Sequence, residues 1–345
     1  MEIGLFSQRR AAHFASLPTD SSARMPQSDP RWLDVLRTCG EVADALVATD
    51  GGDVIGWLPF CEHASDIGTA LTSQPFLAYG GPVARNDDAE IVRALLHAYR
   101  EHAIARGAVA VTLGTPPFLN ADVEAVWRDA FQPSFVVENF VQLSSLDTHP
   151  IEQIPRDRRA SFKRQLVIAT EAGFRVDRVT DRTQFDAWRA IYEQRYEELG
   201  ATPYPAVMHR AIFDALVPAG LAELWCAFIG DTLAGGTLFL VDDRTADYFA
   251  SAYSSEYRRE SPQGLVLDAA CRAFMERDIR RLNWESSPSK GGVFAFKARW
   301  GAKESRHFYY SLVLDRALLR RTPLEIRTAF PLRFIVPFSE LETSP

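Results

Sequence analysis

Apolar and polar positions along the chain fall into two stretches with the same order of elements. Helical spacing begins at residues 31–36. Residues 43–49 and 54–60 read as strands, and Asp50-Gly51-Gly52-Asp53 between them is a hairpin turn. The segment 75–83 carries Tyr79-Gly80-Gly81-Pro82, a strand end or loop. Residues 88–106 form an amphipathic helix, with Ile91, Leu95, Ala98 and Tyr99 on one face and Gly107 as its stop. A strand follows at 109–113. The second stretch starts with a basic helix at 151–173, then helices at 185–199 and 206–217. A hairpin joins strands 221–229 and 233–240 across Gly230-Asp231, and a further strand covers 245–252. The helix 263–277 places Val266, Ala270, Ala273 and Phe274 on one face, and strands at 281–284 and 307–313 follow. The hairpins 43–60 and 221–240, the helices 88–106 and 263–277, and the strands 109–113 and 281–284 correspond. Two copies of one α/β (α+β) unit with a mixed sheet explain this better than a doubly wound sheet, because each half carries hairpins before its long helix.

The chain of 345 residues is long enough for two domains. Its apolar fraction, 47%, is that of a globular protein. With 38 basic and 45 acidic residues the net charge is -7, which argues against a general nucleic-acid binder, of DNA included, or a membrane-surface binder, and leaves a local basic patch open. No apolar run reaches membrane-spanning length, and the first residues lack the blocks of a signal peptide, so a cytoplasmic protein is expected. Cys39, Cys61, Cys226 and Cys271 form no CxxC pair and read as reduced thiols among apolar residues. The histidines, His13 to His307, are scattered. His97 and His102 stand five apart on one helix, off a common face, so no metal site is expected. There is no nucleophile elbow, P-loop or dinucleotide fingerprint.

The chemistry concentrates in the second half. Gly291-Gly292-Val293-Phe294-Ala295-Phe296-Lys297-Ala298-Arg299-Trp300-Gly301-Ala302 lies between two strands and reads as a glycine-rich loop. There Lys297 is a cation beside large rings, suited to an anionic ligand or a developing oxyanion. The competing reading is a surface lysine snorkelling over an aromatic. Arg258, Arg259, Ser261, Gln263 and Gly264 feed the start of a helix, whose N-terminus favours phosphate. Ser261 followed by Pro262 equally fits ordinary helix initiation, an N-cap and then proline. Arg156, Arg158, Arg159, Lys163 and Arg164 could contact phosphates, or could be a solvated face. Glu285 stands at a strand end where a general base could act. Tyr253 could donate a proton, beside Tyr248 and Tyr257. The alternatives are a carboxylate paired to Lys290 or Arg299 and tyrosines packed on a sheet. Glycines at Tyr79-Gly80-Gly81-Pro82 allow a close backbone approach, or simply make a turn.

In their order these residues resemble the FemAB/FemX-type transferases, a double-domain branch of the GNAT acyltransferase superfamily, and are similar to CelD-like acetyltransferase-domain proteins. The carriers are Tyr79-Gly80-Gly81-Pro82-Val83, the basic helix before Ala172-Gly173-Phe174, and Tyr192 with Gly200-Ala201-Thr202-Pro203. Ser261-Pro262-Gln263-Gly264 and Phe296-Lys297-Ala298-Arg299-Trp300-Gly301-Ala302 complete the set. The resemblance spans roughly residues 30–315. It implies a tandem duplication of a GNAT-like mixed-sheet domain: an N-terminal extension at 1–28, domains at 29–150 and 151–330, and a tail at 331–345. It implies acyl transfer onto an amine, with Lys297 steadying the reacting carbonyl; Glu285 and Tyr253, from their placement, complete the expected catalytic set. Phe296 joins Arg258, Arg259, Ser261, Gln263 and Gly264 at the donor, in the second domain. Tyr79, Arg159, Lys163, Arg164, Tyr192 and Tyr196 fall to the acceptor or a basic patch. No tightly bound cofactor is implied. The donor is aminoacyl-tRNA, as in FemX-like members, or acyl-coenzyme A, as in typical GNAT members, and the acceptor is a small-molecule amine. A non-catalytic double-GNAT binding module is the third reading. The usual pyrophosphate loop, Gln/Arg-x-x-Gly-x-Gly/Ala, is here Arg259-Glu260-Ser261-Pro262-Gln263-Gly264. Proline in place of the first glycine removes an N–H donor and weakens the case for coenzyme A.

Overall fold

The computed structural model describes every residue except 9–17, 19, 77–78, 288–290 and 343–345. The expectations for His13 and Lys290, and parts of the N-terminal extension and the tail, lie outside the described residues. From the N-terminus the elements are β1 (Glu2–Leu5), α1 (Pro30–Thr38), β2 (Val42–Asp50), β3 (Asp53–Ser65), β4 (Gly68–Thr72), β5 (Val83–Ala84), α2 (Ala89–Ala105), β6 (Ala108–Gly114), α3 (Ala121–Ala130) and β7 (Phe135–Ser145). Then come α4 (Pro150–Gln153), α5 (Arg156–Glu171), β8 (Phe174–Val179), α6 (Arg182–Glu198), α7 (Ala206–Ala215), β9 (Ala222–Ile229), β10 (Thr232–Val241) and β11 (Thr245–Tyr253). The chain closes with α8 (Gln263–Glu276), β12 (Arg281–Asn283), α9 (Gly292–Arg299), β13 (Lys303–Val313) and α10 (Pro323–Ala329).

Two compact units result: residues 1–139 with 306–345, and residues 140–305. In the first, the strand order is β1, β2, β3, β4, β6, β13, with β5 on β3. Gly51 and Gly52, both at positive φ, make the tight turn from β2 to β3 that the sequence marks. All pairings are antiparallel except β4 with β6, where α2 makes the crossover that parallel strands require. α2 buries Ile91, Val92, Leu95, Leu96, Tyr99 and Ala103. The division differs from the one expected at 150/151 and 330/331. The physical reason is that β13 pairs with β6, Tyr309 opposite Gly114. Leu318, Ile326, Phe330, Ile335 and Leu341 then bury in one cluster with Val109 and Ala110. β1 likewise pairs with β2, so the first residues belong to the sheet.

The second unit repeats the plan, with strand order β7, β12, β11, β10, β9, β8. Its parallel pair is β11 with β12, joined by α8. α8 buries Val266, Leu267, Ala270, Cys271 and Phe274 on one face. Trp284, Trp300 and Phe239 join that core. At about 1.5–3 kcal/mol for each large apolar side chain withdrawn from water, this face holds α8 in place, and with it the turn that precedes it.

The stretch from Gly291 to Ala302 is a helix rather than the loop expected from its glycines. Gly291 is the N-cap and Gly301, at φ +79°, follows the C-cap Trp300. Ala302 N–H donates to Lys297 O (3.2 Å) and Gly301 N–H to Ala298 O (3.1 Å), the Schellman pattern. The glycines therefore bound the helix, while Ala295, Lys297, Ala298 and Arg299 between them are good helix formers.

Candidate active site

Lys297 is the one buried residue of α9, with 3% of its surface exposed. Its Nζ donates to the main-chain carbonyls of Glu285 (3.0 Å) and Ser286 (3.3 Å), just past β12. An ammonium has three protons, so with these two acceptors among the described residues one proton remains for another. Burial brings the lysine down from 10.5 to about 8, while the carboxylates of Glu285 and Asp247 act in the opposite sense. β7 pins this region: Gln142 Nε2 donates to Phe294 O (3.1 Å), and its Oε1 accepts from Ser287 Oγ (3.3 Å). Phe296, beside the lysine, packs on the core that holds Trp284 and Trp300.

Glu285 has a left-handed backbone, φ +62°, which a non-glycine residue adopts at a cost of about 1–3 kcal/mol. Asn283 secures it. Its Oδ1 accepts from Glu285 N–H (3.0 Å), and its Nδ2 donates to Glu285 Oε1 (3.4 Å) and Asp247 Oδ1 (3.3 Å). Asp247 and Asn283 face each other across the parallel strands β11 and β12, both fully buried. Neither was singled out from the sequence. The available signal was a carboxylate inside an apolar strand, Ala246-Asp247-Tyr248, since such residues are rarely buried without a task. Lys290 lies outside the described residues, and Arg299 is exposed on α9.

A second polar chain runs from β10 to α8. Tyr253 OH and Thr237 Oγ1 share a hydrogen bond (3.0 Å), and Thr237 shares another with Ser251 Oγ (3.1 Å). Gln263 Nε2 donates to Tyr248 OH (2.8 Å) and Ser251 Oγ (3.4 Å). Burial pushes the Tyr253 and Tyr248 phenols up, so both remain neutral near pH 7. The Tyr248 ring lies 5.6 Å from Trp284, the neighbour of Glu285. Tyr257 packs edge-on against Phe174.

The α8 entry differs from the helix start expected. Ser261 stands at φ +53° and Pro262 takes the N-cap position, with no side-chain cap. A serine in that backbone cannot place its hydroxyl as an N-cap does, because N-caps need an extended φ/ψ. The Gln263 amide turns inward to Tyr248. Arg258 and Arg259 are exposed and have no ion-pair partner among the described residues. Gly264 faces Leu166 of α5, 3.4 Å from where a Cβ would stand.

On α5, Arg159 and Lys163 both reach Glu152, at 2.5 and 3.1 Å. Arg156, Arg158 and Arg164 are exposed and make no ion pair among the described residues. Tyr192 is buried, with Tyr196 tilted against it at 4.4 Å and His209 edge-on at 4.6 Å. Tyr79 is buried in the first unit, its ring 5.3 Å from His307. Gly80 and Gly81 answer to packing: a Cβ would meet Gln74 Cγ at 2.4 Å and Trp127 Cη2 at 2.3 Å. The residues drawn into contact are therefore Lys297 with Glu285, and Tyr253 with Gln263 through Thr237 and Ser251.

The second unit is thus a mixed sheet with one parallel pair, β11 and β12, joined by the long helix α8. Residues 156–297 match the family model for the acetyltransferase (GNAT) domain. The fold is shared with the crystal structure of FemX at a TM-score of 0.69 and 15% identity, over 85% of this chain and 93% of that one. L-PGS from Bacillus licheniformis gives 0.56 at 12% identity, over 88% and 97%. A conserved protein of unknown function from Bacteroides thetaiotaomicron gives 0.58 at 13%, over 85% and 95%. No curated protein matches the chain. The resemblance to a FemX-like, GNAT-type fold thus holds across both units. Among the described residues no helix is long and apolar enough to cross a membrane.

Proposed function

We propose that the chain is an N-acyltransferase whose reacting centre lies at Lys297 in the second unit, with an aminoacyl ester on tRNA as donor. The observation that carries this reading is the buried ammonium: two carbonyls fix it, and among the described residues one N–H is left to meet an oxyanion. The acceptor amine attacks the donor carbonyl, and a tetrahedral oxyanion forms opposite Lys297. The C–O bond to the leaving hydroxyl then breaks. The amine gives up one proton and the leaving oxygen gains one, so Glu285 as acceptor and Tyr253 as donor would complete the balance. Tyr192 and Tyr196 remain the proposed acceptor side. The exposed arginines of α5 and the Arg258-Arg259 pair suit a polyanionic carrier. The α8 entry suits a coenzyme A pyrophosphate less, because Pro262 has no N–H and Gln263 is turned inward.

The second reading is acyl-coenzyme A as donor, favoured by the match of 156–297 to an acetyltransferase domain. Purified protein with an amine mixture and either labelled aminoacyl-tRNA or labelled acyl-coenzyme A separates the two. Product that disappears on RNase treatment supports the tRNA reading. Replacing Arg156, Arg158 and Arg164 by alanine is expected to raise KM for aminoacyl-tRNA and to flatten its salt dependence. Turnover of acyl-coenzyme A alone, insensitive to those arginines, selects the second reading. No product with either donor leaves a binding module.

A further inference from the structure

We propose that Asp247 and Asn283 form a buried positioning pair for Lys297: Asn283 locks the turn at Glu285 that presents the two carbonyls, and the Asp247 carboxylate, held by the Asn283 amide, favours the ammonium form of the lysine. The proposal rests on the acyl-transfer reading only for its catalytic consequence. The geometry is independent of it. Asp247 and Asn283 are paired in register on β11 and β12, with no surface exposed. A carboxylate and an amide are costly to bury unless they serve each other or a neighbour. Here Asn283 uses both ends of its amide. Its oxygen holds Glu285 N–H, and its nitrogen bridges the carboxylates of Asp247 and Glu285.

The turn held in this way is strained. Glu285 sits at φ +62°, and its own carbonyl receives Lys297. Without the Asn283 Oδ1 contact the residue has reason to relax toward negative φ, which rotates that carbonyl away from Nζ. The chain of contact is thus Asp247 to Asn283, Asn283 to Glu285, and the Glu285 carbonyl to Lys297. Among the described residues, the charged groups that act on Lys297 are Glu285 from the end of β12 and, after it, Asp247 from β11. Asp247 is the more sheltered of the two, so water screens it less. It touches no reacting atom and acts through the lysine, as a positioning residue.

The experiment uses the full-length protein and three variants, Asp247→Asn, Asn283→Asp and Asn283→Ala, each checked by thermal unfolding. Lysine labelled with carbon-13 at Cε lets NMR follow the titration of Lys297, assigned by the signal missing from Lys297→Met. Asp247→Asn is expected to lower the pH at which Lys297 titrates by on the order of 1 unit. In the acyl-transfer assay the alkaline limb of kcat should move by the same amount. Asn283→Ala is expected to lower kcat by about 10–100-fold with KM little changed. Asn283→Asp keeps the acceptor for Glu285 N–H but puts a third carboxyl against Asp247 and Glu285, so it should recover part of that loss only at a pH low enough for that carboxyl to hold a proton. If Asn283→Ala does not fold, Asn283→Asp and Asp247→Asn still decide the matter. A Lys297 titration unmoved in Asp247→Asn overturns the proposal. Lack of turnover in the parent overturns the acyl-transfer reading instead and leaves the NMR test standing.

Discussion

Lys297→Met separates the chemistry of this lysine from its part in the fold. Burial takes the ammonium from 10.5 to about 8. At ~1.4 kcal/mol per pH unit, the charged form costs the folded state ~3 kcal/mol near pH 7. Methionine fills similar space and removes that cost. It also removes the donor from the carbonyls of Glu285 and Ser286, a loss of about 1–3 kcal/mol for each if left buried and unpaired. The two effects oppose each other, so stability should stay within ~2 kcal/mol of the parent. Turnover has no such compensation, and losing an oxyanion donor lowers it by about 10²–10³-fold. The pH dependence adds a second signature. The folded value lies below the unfolded one, so between about pH 8 and 10.5 the unfolded chain holds more protons, and the lysine's contribution to stability rises with pH. The parent should therefore gain on the variant across that window. Turnover moves the other way, falling as pH passes about 8, because the oxyanion needs the ammonium. Denaturant unfolding and initial rates of amide formation, both followed against pH, read these effects. Parallel losses of stability and rate would refute the reasoning, as would a methionine variant with parental turnover.

Gly81→Ala should destabilise the protein by at least ~2 kcal/mol in thermal or urea unfolding, because Gly81 is at φ +149° and a Cβ would lie 2.3 Å from Trp127. An unchanged midpoint would contradict the packing reading of this glycine pair. His209 is buried, and neither ring nitrogen has a hydrogen-bond partner among the described residues; burial brings its pKa down to about 4. The folded chain keeps it neutral while the unfolded chain takes a proton below about 6.5, so stability is lost as pH falls from 6.5 toward 4. His209→Phe should recover ~2–3 kcal/mol of that acid loss and leave stability near pH 7 little changed. An acid limb as steep as the parent's would count against it.

Much of the repeat could be read from the sequence because its signals are local. The turn Asp50-Gly51-Gly52-Asp53, the apolar faces of α2 and α8, and Gly230 between β9 and β10 each depend on a few neighbouring residues. What could not be read is set by partners far along the chain. β13 belongs with β6, roughly 200 residues earlier, so the last strand and the buried residues after it join the first unit. β7 went unassigned because Glu138, Asn139 and Gln142 break its apolar run, although Gln142 is buried and holds Phe294 and Ser287. The glycines around α9 suggested a loop. They are caps, a distinction that rests on the backbone angle at Gly301 and on hydrogen bonds that close only once the helix exists.

The same distinction governs the site. Lys297 could be singled out because a cation among rings stands out in a sequence. Its partners could not, because they are main-chain carbonyls, which every residue possesses. What makes those two carbonyls available is a backbone turn, and the turn needs Glu285 in a conformation that glutamate disfavours. A glycine would take that φ without strain but would bring no carboxylate. An asparagine two residues earlier, tied to a buried aspartate, lets the chain keep both the turn and the carboxylate. If position 285 only shaped the backbone, Glu285→Gly should leave turnover at the parental level. Loss of the carboxylate also lowers the Lys297 titration, so the decisive measurement is the rate at a pH where the lysine is still protonated: a loss there would show that the carboxylate itself takes part.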